Sequence, residues 1–190
     1  AAIETYRALK RGKNVFLFSD NVSIGEEAFL KRIAAEQGLM LMGPDCGTAI
    51  INGVGIGFAN RVRKGDIGLV AASGTGLQEV TCLIDTMGFG ISQAIGTGGR
   101  DLKEEVGAVT MFQALDYLLD DPDTKIVVLI SKPPAKTVAE KIIAKLSEAT
   151  KPVVLCFIGY ELENPPAGVT VAATLEEAAL KAVALAGKAP

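Results

Sequence analysis

The sequence predicts an α/β protein whose core is a parallel sheet covered by helices on both faces. Three observations favour this class. Short aliphatic runs recur through the second half of the chain, amphipathic segments follow them, and glycine-rich turns join several of these pairs. Continuous aliphatic runs are typical of strands that are buried on both faces of a sheet.

The strands and helices of the second half alternate strictly along the chain. This alternation predicts right-handed crossovers and a flavodoxin-like doubly wound parallel sheet, in which ligands bind at the carboxyl ends of the strands. We expect strands at residues 67–72, 91–96, 126–131, 153–158 and 169–172, and helices at 77–87, 108–119, 135–148 and 175–186.

The first part of the chain carries similar signals. Ser23 and Glu26 form a capping-box pattern at the start of a helix, and Gly38 ends that helix. The composition changes at a polar stretch near residue 63, where we place a boundary between domains at residues 1–63 and 64–190. Before it we expect helices at residues 2–11 and 24–37, strands at 15–18 and 39–42, an irregular loop at 43–47, and an extended segment at 48–60 in which 53–57 is interpreted as a β-turn region.

Composition excludes several classes of function. The net charge of −3 gives no electrostatic basis for binding nucleic acid or an anionic membrane. No apolar run is long enough to span a bilayer, no signal-peptide pattern opens the chain, and the three cysteines are widely spaced, so we expect a reduced, cytoplasmic protein. Because the chain opens with Ala inside a predicted helix, we also expect it to be part of a longer protein.

The sequence contains no histidine. Ser-His-Asp and Cys-His catalysis, histidine metal sites and a phosphohistidine carried by this chain are therefore excluded. Cys46 lies in a predicted loop, and its activation as a nucleophile would need a positive group other than histidine. The sequence assigns no catalytic residue and no metal site.

The strongest functional signal is the turn that follows the strand at residues 67–72. The turn consists of Ser73, Gly74, Thr75 and Gly76 and leads directly into an amphipathic helix. The first N–H groups of a helix lack backbone partners and carry partial positive charge, while glycine lets a ligand approach closely. We predict that these four residues bind phosphate, with an ordinary tight turn and N-cap as the alternative.

The next predicted strand ends in a second glycine-rich loop, Thr97-Gly-Gly-Arg-Asp101. Because the carboxyl-end loops of adjacent parallel strands lie side by side, we predict that Gly98, Gly99 and Arg100 approach the same phosphate. A solvated side chain or a salt bridge to the adjacent aspartate are the alternatives for Arg100. Lys132, which two prolines follow, is interpreted as either a rigid ligand clamp or a solvated lysine.

Several motifs, in the same order along the chain, resemble succinyl-CoA synthetase α subunits of the acyl-CoA synthetase superfamily. They are Gly43-Pro-Asp-Cys-Gly47, the strand and turn at residues 67–75, the glycine loop at 95–99, and residues 121–124 and 151–154. Residues 72–79 and 96–102 resemble the FdrA branch in particular. The resemblance implies that residues 1–63 are part of a Rossmann-like CoA-binding domain that precedes the flavodoxin-like ligase domain.

The resemblance also implies ligand residues and exposes departures from the family. Its first glycine-rich CoA turn is not in this chain, and only the later CoA-facing stretches are present. They match Ser19, Asn21, Pro44, Asp45 and Cys46. The family's phosphohistidine loop is shortened here and lacks the histidine, and Ser131-Lys132-Pro133 stands where the family has a glutamate that orients it.

Three functions remain open at this stage. One is an acyl-CoA synthetase-like subunit that binds phosphate or an acyl phosphate without a phosphohistidine of its own, with CoA as a further ligand. The FdrA resemblance implies a second, a carbamoyltransferase subunit that uses carbamoyl phosphate and oxamate. The third is a non-catalytic regulatory or assembly domain. The expected partners are a small phosphate or acyl ligand, a subunit or domain of the β type, and a second copy of the chain that covers an unpaired sheet edge.

Overall fold

The computed structural model describes residues 1–187 and contains two sheets and six helices within that range. In chain order the elements are α1 (Ala2–Lys10), β1 (Val15–Phe16), α2 (Ile24–Glu36), β2 (Leu41–Met42), β3 (Thr48–Ile51), β4 (Val54–Gly57), β5 (Lys64–Ala71), α3 (Gly74–Thr86), β6 (Ile91–Gly96), α4 (Val109–Asp120), β7 (Ile126–Ser131), α5 (Lys136–Leu146), β8 (Val153–Phe157), β9 (Val169–Val171) and α6 (Leu175–Ala186). Residues 188–190, the end of the second expected domain, lie outside the described residues.

The larger sheet has seven strands in the order β4-β3-β6-β5-β7-β8-β9. Its last five strands are parallel, and β5 lies between β6 and β7. This is the flavodoxin-like order, in which the chain runs first to one side of its initial strand and then to the other. The predicted doubly wound α/β fold is confirmed.

Helices cover both faces of this sheet and bury two separate cores. On one face, α3 and α6 pack through Leu77, Ile84 and Ala182 onto the strand residues Leu69 and Ala71. On the other face, α4 and α5 supply Met111, Leu115, Val138 and Ile142. Strands β7 and β8 are buried along their whole length, as their continuous aliphatic sequences predict.

The segment at residues 48–60, expected only to be extended, contains an antiparallel hairpin, β3–β4, and Ile50 pairs with Ala94 of β6. The strands expected after residue 63 are parallel to one another, and the hairpin adds an antiparallel edge to them. Asn52 and Gly53 form the two-residue turn with φ of 51° and 79°. Asn-Gly is a strong hairpin signal because both positions of this turn require positive φ. The range 53–57, interpreted as a β-turn region, is thus mostly strand.

The smaller sheet consists of the parallel strands β1 and β2, covered by α1 and α2 around a core of Leu9, Leu30 and Leu41. The predicted capping box is present, since the Ser23 N–H donates to Glu26 Oε2 at 2.8 Å and the Glu26 N–H donates to Ser23 Oγ at 3.3 Å. The domain boundary near residue 63 stays a prediction. The pairing of β3 with β6 favours a boundary nearer residue 47.

Within residues 1–187, no helix combines the length and the apolarity that crossing a bilayer requires.

Candidate functional site

The predicted phosphate turn lies at the start of α3, at the carboxyl end of β5. Ser73 is the N-cap, with extended backbone, and its Oγ accepts a hydrogen bond from the Gly76 N–H at 3.2 Å. The Ser73 hydroxyl thus caps the helix, which is the alternative role that the sequence left open. Gly74 and Thr75 are exposed in the first helical turn, where N–H groups have no intrahelical acceptor.

The two glycines of this turn have different roles. A Cβ on Gly76 would lie 3.1 Å from Ser73 Oγ and 3.3 Å from Ile130 Cγ2, so the absence of a side chain lets α3 pack closely on β7. A Cβ on Gly74 would have only Thr48 Oγ1 nearby, at 3.8 Å. Gly74 therefore faces open space, and of the two it is the one at which a ligand can approach the backbone.

A cleft of about 500 Å³ opens at this point. The first part of the chain lines it with Phe18, Ser19, Asp20 and Asp45. The start of α3 lines it as well, together with Gly99 from the loop after β6 and Lys132 at the end of β7. The cleft therefore lies at the carboxyl ends of the parallel strands, where doubly wound proteins bind ligands.

The predicted second glycine loop reaches the cleft only in part. Gly99 is exposed and lines the cleft. Gly98 is buried at φ +87°, and a Cβ there would lie 2.1 Å from the Pro44 carbonyl oxygen. Gly98 is thus a point of close backbone approach between two loops.

Arg100 faces away from the predicted phosphate position. Its Nη2 donates to the Val22 carbonyl at 2.8 Å, and its Nε lies 2.9 Å from Glu27 Oε2. Arg100 is absent from the residues that line the cleft. The alternative salt bridge from Arg100 to Asp101 is not formed, because Asp101 pairs with Lys31. The sequence could not reveal this arrangement, since α2 is distant along the chain.

The five residues that the resemblance assigned to CoA binding do not all lie in the cleft. Ser19 and Asp45 line the cleft, whereas Asn21 is exposed beside it and its N–H donates to Ser19 Oγ at 3.2 Å. Pro44 is buried. Cys46 is buried too, and its thiol donates to the Gly96 carbonyl at 3.4 Å. Burial raises the pKa of the Cys46 thiol to about 11, which leaves little thiolate at neutral pH and argues against a nucleophilic role.

The charges around the cleft are of both signs. Lys132 is exposed, and no carboxylate in residues 1–187 lies within ion-pair distance of it. Asp20 and Asp45 also line the cleft, and a Cβ built on Gly99 would lie 3.3 Å from Asp45 Oδ2. An anion in the cleft is therefore attracted by Lys132 and the start of α3 and repelled by these two carboxylates.

Sequence reasoning missed the aromatic rim of the cleft. Phe18 and Phe58 are both exposed and meet edge to face, with ring centroids 5.6 Å apart. Gln78 Nε2 donates to the Phe58 carbonyl at 2.6 Å and ties this rim to α3. The Asn52-Gly53 turn was the available signal, because a hairpin there returns the chain toward the carboxyl edge of the sheet.

A flavodoxin-like sheet with a ligand cleft at its carboxyl edge defines an α/β cofactor-binding class of protein. The family model described as CoA binding domain matches residues 62–159, just over half of the chain. The chain belongs to the CoA-binding domain family.

Two relatives and one solved structure extend this assignment. Uncharacterized protein YahF of Escherichia coli (strain K12) is 52% identical over 188 residues, which are 98% of this chain and 36% of that protein. The ADP-forming succinate–CoA ligase subunit alpha 2 of Archaeoglobus fulgidus is 27% identical over 158 residues, 81% of this chain and 52% of that subunit. ATP citrate lyase from Methanothrix soehngenii, solved in complex with citrate and coenzyme A, superposes with a TM-score of 0.73 at 22% identity, over 98% of this chain and 33% of that one.

The similarity to succinate–CoA ligase α subunits confirms the resemblance stated from the sequence motifs. The chain spans about half or less of the length of these relatives. The family match covers the α3 turn, the Gly98–Gly99 loop and Lys132, whereas the residues expected to face CoA, at positions 19–46, lie outside it. Three assignments stay predictions. They are the CoA-binding role of these residues, the phosphate-binding role of residues 73–76 and 98–100, and the placement of the chain in the FdrA branch.

Proposed function

We propose that the cleft binds the phosphate group of an acyl phosphate, within a subunit of the acyl-CoA synthetase type that carries no phosphohistidine of its own. One observation carries this proposal. The start of α3 and Lys132 line the same cleft, and Lys132 has no carboxylate partner among residues 1–187.

The energetics favour specific contacts over the helix dipole. The dipole contributes roughly 0.3–1 kcal/mol at an exposed helix end, whereas each hydrogen bond to a charged group contributes roughly 1.5–3 kcal/mol. The N–H groups of Gly74 and Thr75 would donate to phosphate oxygens, and Lys132 would neutralise the remaining charge. Ser73 would act through the cap, because its Oγ already accepts from Gly76.

The chemistry fits transfer of an acyl group away from phosphate. A nucleophile attacks the acyl carbon, the bond from that carbon to the phosphate oxygen breaks, and the oxygen leaves with the electron pair. Fixed donors around the leaving phosphate stabilise the developing charge without a covalent step on this chain. Coenzyme A, through its thiol, is the acceptor that membership of the CoA-binding domain family supports.

The second candidate is a carbamoyltransferase subunit, in which carbamoyl phosphate is the donor and oxamate the acceptor. The position of Lys132 in the cleft supports this second candidate, because an ammonium group beside the phosphate site can also bind the carboxylate of an acceptor such as oxamate. We also propose that the chain belongs to the FdrA branch and forms a homo-oligomer. Its further partner would be a subunit or domain of the β type.

Phosphate release from acyl phosphates separates these functions. The protein is incubated, alone and with a subunit or domain of the β type, with acetyl phosphate plus CoA, or with carbamoyl phosphate plus oxamate. The first proposal expects CoA-dependent phosphate release and thioester formation, and the second expects release that depends on oxamate. If neither acceptor produces phosphate release, and the protein binds no phosphate, the regulatory or assembly domain is the function that remains.

A further inference from the structure

Three charged side chains form a cluster with no exposed surface at the junction of the two sheets. Glu27 and Lys31 come from α2, and Asp101 comes from the loop between β6 and α4. Lys31 Nζ lies 2.6 Å from Asp101 Oδ1 and 3.3 Å from Glu27 Oε1. We call Glu27, Lys31 and Asp101 the buried charge cluster.

The buried charge cluster is costly for the fold. Removing ions from water costs several kcal/mol each, and a buried ion pair is often no more stabilising than apolar residues of similar size. In addition, neither carboxylate oxygen of Glu27 has an aligned hydrogen-bond donor among residues 1–187. Such a group needs an explanation other than stability.

The cluster holds both ends of the loop at residues 97–101. Lys31 Nζ donates to the Thr97 carbonyl at 2.9 Å as well as to Asp101. Asp101 in turn accepts from the N–H groups of Thr110 and Met111, at 3.2 and 2.9 Å, and so fixes the loop to the start of α4. Lys31 therefore ties both ends of this loop to α2, while the backbone bond from the Thr97 N–H to the Ala71 carbonyl holds its start to the sheet.

The loop and the segment before α2 both reach the cleft. Gly99, inside the loop, lines it, and so do Ser19 and Asp20, shortly before α2 in the chain. Arg100 adds a second tie between the loop and α2, because it contacts Val22 and Glu27. The position of Gly99 in the cleft therefore depends in part on contacts that lie outside the cleft.

We propose that Lys31 is a positioning residue that holds the loop at residues 97–101 so that the Gly99 backbone lies where a bound phosphate group requires it. This inference rests on the proposed function for its ligand, whereas the placement of the loop can be measured without one. Lys31 acts through the Thr97 carbonyl and Asp101 and does not itself reach the cleft.

The test compares Lys31→Met with a matched lysine variant, Lys151→Met. Lys151 Nζ donates to two backbone carbonyls, Leu118 at 3.0 Å and Asp121 at 2.6 Å, and lines no part of the cleft. Two readouts are used: the affinity for inorganic phosphate by calorimetry, and the amide NMR shifts of Gly98 and Gly99 without ligand. Lys31→Met should shift both amides and weaken phosphate binding roughly tenfold, whereas Lys151→Met should do neither.

Unmoved amides and parent-like phosphate affinity in Lys31→Met would overturn the inference. Should Lys31→Met fail to fold, Asp101→Asn replaces it, because it weakens the pair with Lys31 and keeps an acceptor oxygen for the N–H groups at the start of α4. Asp101→Asn should shift the same two amides, and unchanged amides would again overturn the inference. If the parent protein binds no phosphate, the proposed function fails, and the amide shifts alone decide whether Lys31 positions the loop.

Discussion

Individual residues at the α3 turn show what local sequence can and cannot assign. Ser73, Gly74, Thr75 and Gly76 were predicted as one phosphate-binding group, but Gly76 packs against Ile130 and does not line the cleft, and the Ser73 hydroxyl is used to cap the helix. A sequence gives the turn, because the signals for it are local. It does not reveal which residues of the turn point toward the cleft and which pack inward, because this depends on how α3 packs against β7.

Cys46 provides a prediction about pH at the residue scale. Burial raises the pKa of its thiol to about 11, above the ordinary value near 9, so in this pH range the unfolded chain holds fewer protons than the folded one. The stability that this thiol contributes is therefore complete below about pH 9 and is lost as the pH rises toward 11.

Chemical denaturation at about pH 8 and about pH 10 measures this loss. The midpoint should fall with pH, and the fall should be smaller in a Cys46→Ala variant, which lacks the thiol. Burial raises the pKa of the Cys156 thiol as well, so part of the fall in the denaturation midpoint should remain in the Cys46→Ala variant. An identical fall in both proteins would contradict the assignment of the effect to Cys46.

At the scale of elements, the parallel part of the fold was predictable and the hairpin was not recognised. Strands β5 to β9 and helices α3 to α6 appear close to their expected positions, since each carries a strong periodic signal. Strands β3 and β4 are short, β4 contains two glycines, and the pairing of β3 with β6 is a long-range contact. Their turn, Asn52-Gly53, was nevertheless a local signal that sequence reasoning could have used.

The hairpin turn yields a prediction about stability. Gly53 has φ of +79° with no atom near a Cβ built on it, so Gly53→Ala should destabilise the protein by about 1 kcal/mol through backbone strain alone. Gly25→Ala is the control, because Gly25 is helical and its Cβ position is equally open. The control should be neutral or stabilising by about 0.5–1 kcal/mol in urea denaturation.

Equal effects of the two glycine variants would contradict the turn geometry. A larger loss in Gly25→Ala would do so as well, because helix propensity favours alanine there. Either result would mean that positive φ at residue 53 is not required for the β3–β4 hairpin.

At the scale of the whole molecule, the cleft exists because two regions of the chain meet. The sequence predicted a ligand site at the carboxyl edge of the sheet, and the family match agrees with that class of protein. It could not predict that Arg100 turns toward α2, or that Lys31 and Asp101 meet, since these contacts join residues about seventy positions apart. Side-chain partners across such separations are set by tertiary packing and have no local signature.

The central claim is that Gly74 and Lys132 attract one phosphate group. Gly74→Val places a side chain in the cleft without a clash at its Cβ position, and Lys132→Gln removes the ammonium group. Lys125→Gln is the matched control, because Lys125 is exposed at the opposite end of β7. Ser73→Ala tests the cap, and its effect on binding should be smaller than that of Gly74→Val.

Calorimetric titration of inorganic phosphate into these proteins is the most direct test. The parent and Lys125→Gln should bind phosphate with equal affinity, Lys132→Gln should lose roughly tenfold, and Gly74→Val should lose most. If Gly74→Val and Lys132→Gln bind phosphate as well as the parent does, the α3 turn is only a helix cap, and the account of the cleft as an anion site is wrong.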